Sequence, residues 1–121
     1  FTGPLYGREK LTAYVDADLL VSPAIHEIFG LVPFEALMCG TPVVVAGDSG
    51  SGQLINQARA GYLVRYGDVL GLVNMLQHGL THRSETTEMV RLGQAFVQNN
   101  LSWSRITQEL EHIYQAQPAF Q

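Results

Sequence analysis

A single cysteine, Cys39, means that no disulfide can form within this chain, which suits a reducing compartment. Charge is also sparse: Lys, Arg, Asp and Glu make up 15% of the residues and leave a net charge of −4. Without a Lys/Arg cluster or a positive balance, nonspecific nucleic-acid binding is not expected. No apolar run reaches the ~18 residues of a membrane span. His78, His82 and His112 are scattered without ligand spacing and read as surface residues. No Ser-His-Asp or Cys-His set can be argued from the order of the residues. Repeats, low-complexity stretches and linkers are missing too. The start, Phe1-Thr2-Gly3-Pro4, resembles neither a signal peptide nor an initiation site, so the chain is expected to be cut from something longer.

What remains is globular. A 46% hydrophobic content over 121 residues supports one domain with a modest core. Strand and helix signals alternate along it. After the short piece Phe1-Thr2, a helix is predicted over about Arg8–Val15 and a buried strand at Leu19–Ser22. A helix over about Leu31–Cys39 stops at Gly40, and Pro42–Ala46 is the next strand. Gly47–Gly52 turns into a helix over about Gly52–Arg59, ended near Gly61. Tyr62–Arg65 is the last strand. Asp68 caps a helix to about Gly79, and two more helices follow over about His82–Asn99 and Ser102–Gln115. In the last, Ser102 is a candidate N-cap, and Trp103, Ile106, Leu110, Ile113 and Tyr114 form a stripe expected to pack on the sheet. Short apolar strands between helices argue for a parallel sheet with right-handed crossovers.

The most informative run is His26-Glu27-Ile28-Phe29-Gly30-Leu31-Val32-Pro33-Phe34-Glu35-Ala36-Leu37, in which seven residues separate two glutamates. It leaves the strand Leu19–Ser22, turns at Gly30 and enters a helix whose first turn tolerates Pro33. The turn can aim free backbone N–H groups at an anion. One carboxylate precedes that anion site and the other follows it about a turn into the helix. A pyrophosphate flanked by hydroxyl groups, as in a nucleotide sugar, fits this layout.

The run resembles the Glu-x7-Glu signature of retaining glycosyltransferases of the two-Rossmann-domain (GT-B) architecture, group 1 (family 4). The likeness extends to Ala17-Asp18-Leu19-Leu20-Val21-Ser22-Pro23, to Gly40-Thr41-Pro42-Val43-Val44, to Gly61-Tyr62-Leu63-Val64, to the helix opening at Asp68 and to Leu101-Ser102-Trp103. The implied fold is α/β: a partial Rossmann-like, GT-B carboxyl-terminal domain over residues 1–121, with a short parallel sheet, flanking helices and carboxyl-terminal helices over about 82–116.

By resemblance, Glu27 is the catalytic-centre residue that contacts the transferred sugar. Glu35 holds the ribose hydroxyls, and the backbone N–H groups of Phe29, Gly30, Leu31 and Val32 hold the sugar and the distal phosphate. His26, Ser49 and Gly50 are further candidates to line the donor pocket. At the glycine loop the chain departs from its relatives. They commonly carry two glycines followed three residues later by a glutamate, where this chain has Ser49, Gly50 and Gln53. Asp16-Ala17-Asp18 spells the Asp-x-Asp of metal-dependent transferases. It precedes its strand, however, and ligands of open α/β sheets bind outside the carboxyl ends, so no metal site is expected. Arg65, at the binding end of its strand, reads first as a salt-bridge partner.

The resemblance implies a nucleoside diphosphate sugar as donor substrate, with no cofactor. A saccharide, lipid or small-molecule acceptor would be bound by an amino-terminal domain outside this chain. The basic pair that neutralises the diphosphate in the family matches none of the seven Lys and Arg residues here. The fragment alone is therefore expected to be inactive. Strand Leu19–Ser22 should present an unpaired edge that invites self-association. Cytoplasmic placement is expected, with peripheral membrane association through the missing half as the other option. Two competitors stay open: a non-catalytic nucleotide-sugar-binding or regulatory module, and a flavodoxin-like phosphate-binding domain.

Overall fold

A computed structural model describes residues 1–116; the end of the expected domain, 117–121, lies outside the described residues. Three strands, β1 (Leu20–Ser22), β2 (Val43–Ala46) and β3 (Tyr62–Val64), form a parallel sheet in the order β1-β2-β3. Leu20 pairs with Val43 in register, and Val44 pairs with Tyr62. Six helices surround them: α1 (Gly7–Asp16), α2 (Val32–Met38), α3 (Gly50–Ala58), α4 (Val69–Thr81), α5 (Arg83–Asn100) and α6 (Trp103–Ala116). The expected α/β architecture of a short parallel sheet with flanking helices is the one observed.

Both faces of the sheet are covered, which is why its strands read as unbroken apolar runs. On one face Val43 and Val45 pack with Tyr14 of α1, Phe34, Ala36 and Leu37 of α2, and Ile55 of α3, and α5 closes the layer through Val90, Phe96 and Val97. On the other, Val44, Tyr62 and Val64 meet Leu72 and Met75 of α4 and Met89 of α5. All four residues of β2 are buried, whereas β1, with Val21 exposed, is an edge strand that pairs only with β2 among the described residues.

Helix ends follow local chemistry. Gly40, at φ +92°, closes α2 in a Schellman arrangement: its N–H donates to Leu37 O, and the Thr41 N–H donates to Ala36 O. Ser49 caps α3 by accepting from the Gly52 N–H at 3.0 Å. Asp68 caps α4, its Oδ1 accepting from the Gly71 N–H at 2.8 Å.

Two glycines near predicted helix ends are required by packing. α3 ends at Arg59, which itself takes the left-handed conformation at φ +53°, while Gly61 is needed because a Cβ there would meet Val43 Cγ2 at 2.6 Å. Gly79 lies inside α4, which runs on to Thr81. A Cβ there would sit 3.1 Å from the Tyr62 ring and 3.4 Å from Leu19, so close packing against the sheet selects the glycine.

The stripe on α6 is a correction. The helix leans on α5 and has no buried residue; Trp103 is 81% exposed and Tyr114 75%. Helices α1, α2, α3 and α5 cover one sheet face, and α4 with Met89 of α5 packs on the other, so the sheet faces are already occupied where α6 would have to pack. Ser102 does approach the first turn, accepting from the Arg105 N–H at 3.4 Å.

Candidate functional site

The loops that follow β1 and β2 meet at the carboxyl end of the sheet, where ligands of open α/β folds bind. Their junction is a backbone hydrogen bond: the Gly50 N–H donates to the Glu27 carbonyl at 2.9 Å. A side chain at Gly50 would overlap the Ile28 carbonyl, so only glycine permits this approach. The Glu27 side chain folds over Gly30, whose Cα hydrogens leave it room. A Cβ there would lie 2.8 Å from Glu27 Cγ and 3.3 Å from Ser51 Oγ. Gly30 takes φ +68° and His26 φ +59°; both left-handed residues bend the loop around Glu27.

The N–H groups of Phe29, Gly30 and Leu31 donate to no other backbone group among the described residues. They precede α2, in whose first turn the Val32 and Phe34 N–H groups likewise have no backbone acceptor among the described residues, Pro33 has no N–H, and the Glu35 N–H donates to Leu31 O at 3.0 Å. Ile28, Phe29, Leu31 and Val32 are exposed around them, with the Phe29 ring stacked on Phe34 at 5.6 Å. Ser49 is placed differently from these residues. It is 4% exposed, and its hydroxyl donates to Ala46 O at 2.7 Å while capping α3. Gln53 is exposed on α3.

Glu35 faces α1. Its Oε1 accepts from Lys10 Nζ at 2.9 Å, and its Oε2 accepts from Lys10 Nζ at 3.0 Å and from the Tyr14 hydroxyl at 2.9 Å. The hydrogen bond from Lys10 holds the carboxyl below its usual value against the opposing effect of burial, and Tyr14 adds to the lowering. Burial and then the carboxylate push the Tyr14 phenol up to about 12. Glu35 is therefore ionised at neutral pH and can only accept hydrogen bonds, as a hydroxyl-bearing ligand requires. Beside it opens a cleft of about 310 Å³ lined by Leu11, Leu31, Phe34, Met38 and Leu101. The roles of Lys10 and Tyr14 were not read from the sequence; the only signal available was their shared α1 face, at spacing i, i+4.

Asp16 ends α1 and Asp18 lies just before β1, at the amino end of the sheet, where Asp18 accepts from Arg83 Nη2 at 2.8 Å. Among the described residues no group of three or more His, Cys, Asp or Glu is placed to share a metal ion. Arg65 has no carboxylate partner among the described residues; it lines a cleft of about 270 Å³ with Gly47, Asp48 and Leu63. No described helix is long and apolar enough to cross a membrane.

The chain is similar to known proteins in sequence and fold. The chain is 39% identical over 93 residues to the sulfoquinovosyl transferase SQD2 of Arabidopsis thaliana, covering 74% of this chain and 18% of that protein. It is 32% identical over 114 residues to the D-inositol 3-phosphate glycosyltransferase of Salinispora tropica, covering 94% of this chain and 23% of the relative. The chain thus spans about a fifth of the length of these relatives. Its fold matches a sucrose-phosphate synthase from Thermosynechococcus elongatus with a TM-score of 0.77 at 30% identity, over 88% of this chain and 27% of that one. Residues 1–96 match the family described as glycosyl transferases group 1. The chain belongs to the group 1 glycosyl transferases, and its sheet and helices are those of a GT-B, Rossmann-like domain.

Proposed function

We propose that this chain is the donor-binding part of a retaining, family 4 glycosyltransferase that moves a hexosyl group from a nucleoside diphosphate sugar to a saccharide, lipid or small-molecule acceptor. The observation that carries the reading is the junction of the two loops. Gly50 clasps the Glu27 carbonyl beside a row of open N–H groups, one helical turn before the ionised Glu35. Preorganised N–H groups there suit a departing phosphate, because they already point at the charge that develops as the glycosidic bond breaks. Glu27 lies at the turn where the sugar would sit, and Glu35 takes the ribose diol. Neither the binding nor the transfer requires a metal or other cofactor.

The acceptor, and the basic residues that would neutralise the diphosphate, are supplied from outside this chain, so the chain alone does not turn over. The enzyme works in the cytoplasm, where nucleotide sugars are made, either free or peripheral to the membrane. The open edge of β1 drives self-association of the isolated chain, and a strictly monomeric species by sedimentation at high micromolar concentration counts against that.

Ligand-observed NMR with UDP-, GDP- and ADP-sugars tests the reading. One of the three should bind selectively, and Glu35→Ala should abolish that binding. Binding that survives substitution of both Glu27 and Glu35 would overturn it.

A further inference from the structure

Helix α1 supplies the partners of Glu35, and their geometry gives them more than a packing role. Lys10, the only lysine of the chain, and Tyr14 stand one turn apart on the same face of α1 and together contact both oxygens of the carboxylate. The side chains of Lys10 and Glu35 are 37% and 35% exposed, and an ion pair so accessible to water adds little to stability. The fold gains its α1–α2 contact from the buried Tyr14 instead.

The hydrogen-bonding inventory is unequal between the two oxygens. Oε2 accepts two protons, from Lys10 and Tyr14, which fills its lone pairs. Oε1 accepts only one, from Lys10. An ammonium carries three protons, and Glu35 takes two of them. By this count one acceptor site on Oε1 and one proton on Nζ remain, and Glu35 itself lines the cleft shared with Leu11, Leu31 and Phe34. A vicinal diol is the complement of that pair: one hydroxyl donates to Oε1 while its neighbour accepts from Nζ.

We infer that Lys10 and Glu35 form a composite diol site, with Tyr14 positioning the carboxylate, so that selection of a ribose nucleotide depends on α1 as well as α2. This inference rests on the proposed role of Glu35 and adds Lys10 as a binding residue and Tyr14 as a positioning residue.

The test uses the protein that carries this chain, at its natural length, titrated calorimetrically with UDP, GDP and ADP and with the 2′,3′-dideoxy form of each. For the nucleotide that binds, Lys10→Met should weaken the ribose form roughly tenfold and leave the dideoxy form unchanged. Lys10→Arg should recover part of the loss, and Tyr14→Phe should show a smaller one. In a ¹³C-carboxyl titration, Glu35 should titrate higher in Lys10→Met than in the parent protein, a shift that a purely structural lysine elsewhere on α1 would not produce. If Lys10→Met affects both forms equally, or neither, while Glu35→Gln removes the ribose preference, the composite site is wrong and the role of Glu35 stands. If Glu35→Gln keeps the preference, the reading of Glu35 falls and this inference falls with it.

Discussion

The Gly50 amide donates to the Glu27 carbonyl at 2.9 Å, and through that bond the loop after β1 is held against the start of α3. The contact has no slack, because any Cβ at Gly50 meets the Ile28 carbonyl, a backbone atom that cannot rotate away. Gly50→Ala should therefore force the two loops apart and cost about 1–3 kcal/mol of stability. Urea denaturation measures this, and a change within about 0.5 kcal/mol would show that the loops are not pressed together.

Glu27 and Glu35 should separate by ligand. Glu27, folded over Gly30, is expected to matter for the sugar, so Glu27→Gln weakens nucleotide-sugar binding and spares the plain nucleoside diphosphate. Glu35→Gln weakens both. Parallel calorimetric titrations with the two ligand types decide the matter, and equal losses in Glu27→Gln would remove Glu27 from the sugar.

Acid should dismantle the α1–α2 ion pair in a definite direction. Lys10 holds the Glu35 carboxyl below its ordinary value of 4.5 in the folded chain. A lowered carboxylate contributes stability that is fully present above the unfolded value and is lost as pH falls through the folded one. Since both side chains are about a third exposed, the contribution is small. The stability gap between the parent chain and Lys10→Met should be present near pH 7 and vanish below the folded value. A gap that persists unchanged at about pH 2 would assign the effect of Lys10 to packing.

Core and tail should respond differently to truncation. Leu37 is fully buried against Gly93 of α5, so Leu37→Ala should cost about 2–5 kcal/mol. Ile113 is 54% exposed on α6, and Ile113→Ala should stay within about 0.5 kcal/mol in the same denaturation assay. A large loss at Ile113 would reveal a partner for α6 beyond the described residues.

Asp18 should be dispensable for the donor. It lies at the amino end of the sheet, paired with Arg83, and both side chains are more than half exposed. Donor binding should survive a chelator and should be unchanged in Asp18→Asn. Binding that requires manganese and disappears in this variant would reinstate Asp16 and Asp18 as a metal site.

The strands and most helix limits were legible in the sequence because their causes are local. Unbroken runs such as Val43-Val44-Val45 declare a strand covered on both faces, and Gly40 and Asp68 act within one turn of their own position. The order of the Glu-x7-Glu run likewise placed Glu27 in a loop and Glu35 on a helix. Less was legible where a residue answers to a distant neighbour. Gly61 reads as the end of a helix, yet it makes room for Val43, and nothing local announced that Gly79 makes room for Tyr62 and Leu19.

Amphipathic spacing on α6 announced an apolar stripe, but periodicity states that a face is apolar and not what covers it. Glu35 shows the same division most clearly. Its place on α2 follows from the sequence alone, whereas its hydrogen-bond partners and the lowering of its pKa come from Lys10 and Tyr14, 25 and 21 residues away. Only the packing of α1 on α2 brings those groups within hydrogen-bond reach, because hydrogen bonds act over a few ångströms of space whatever the distance along the chain.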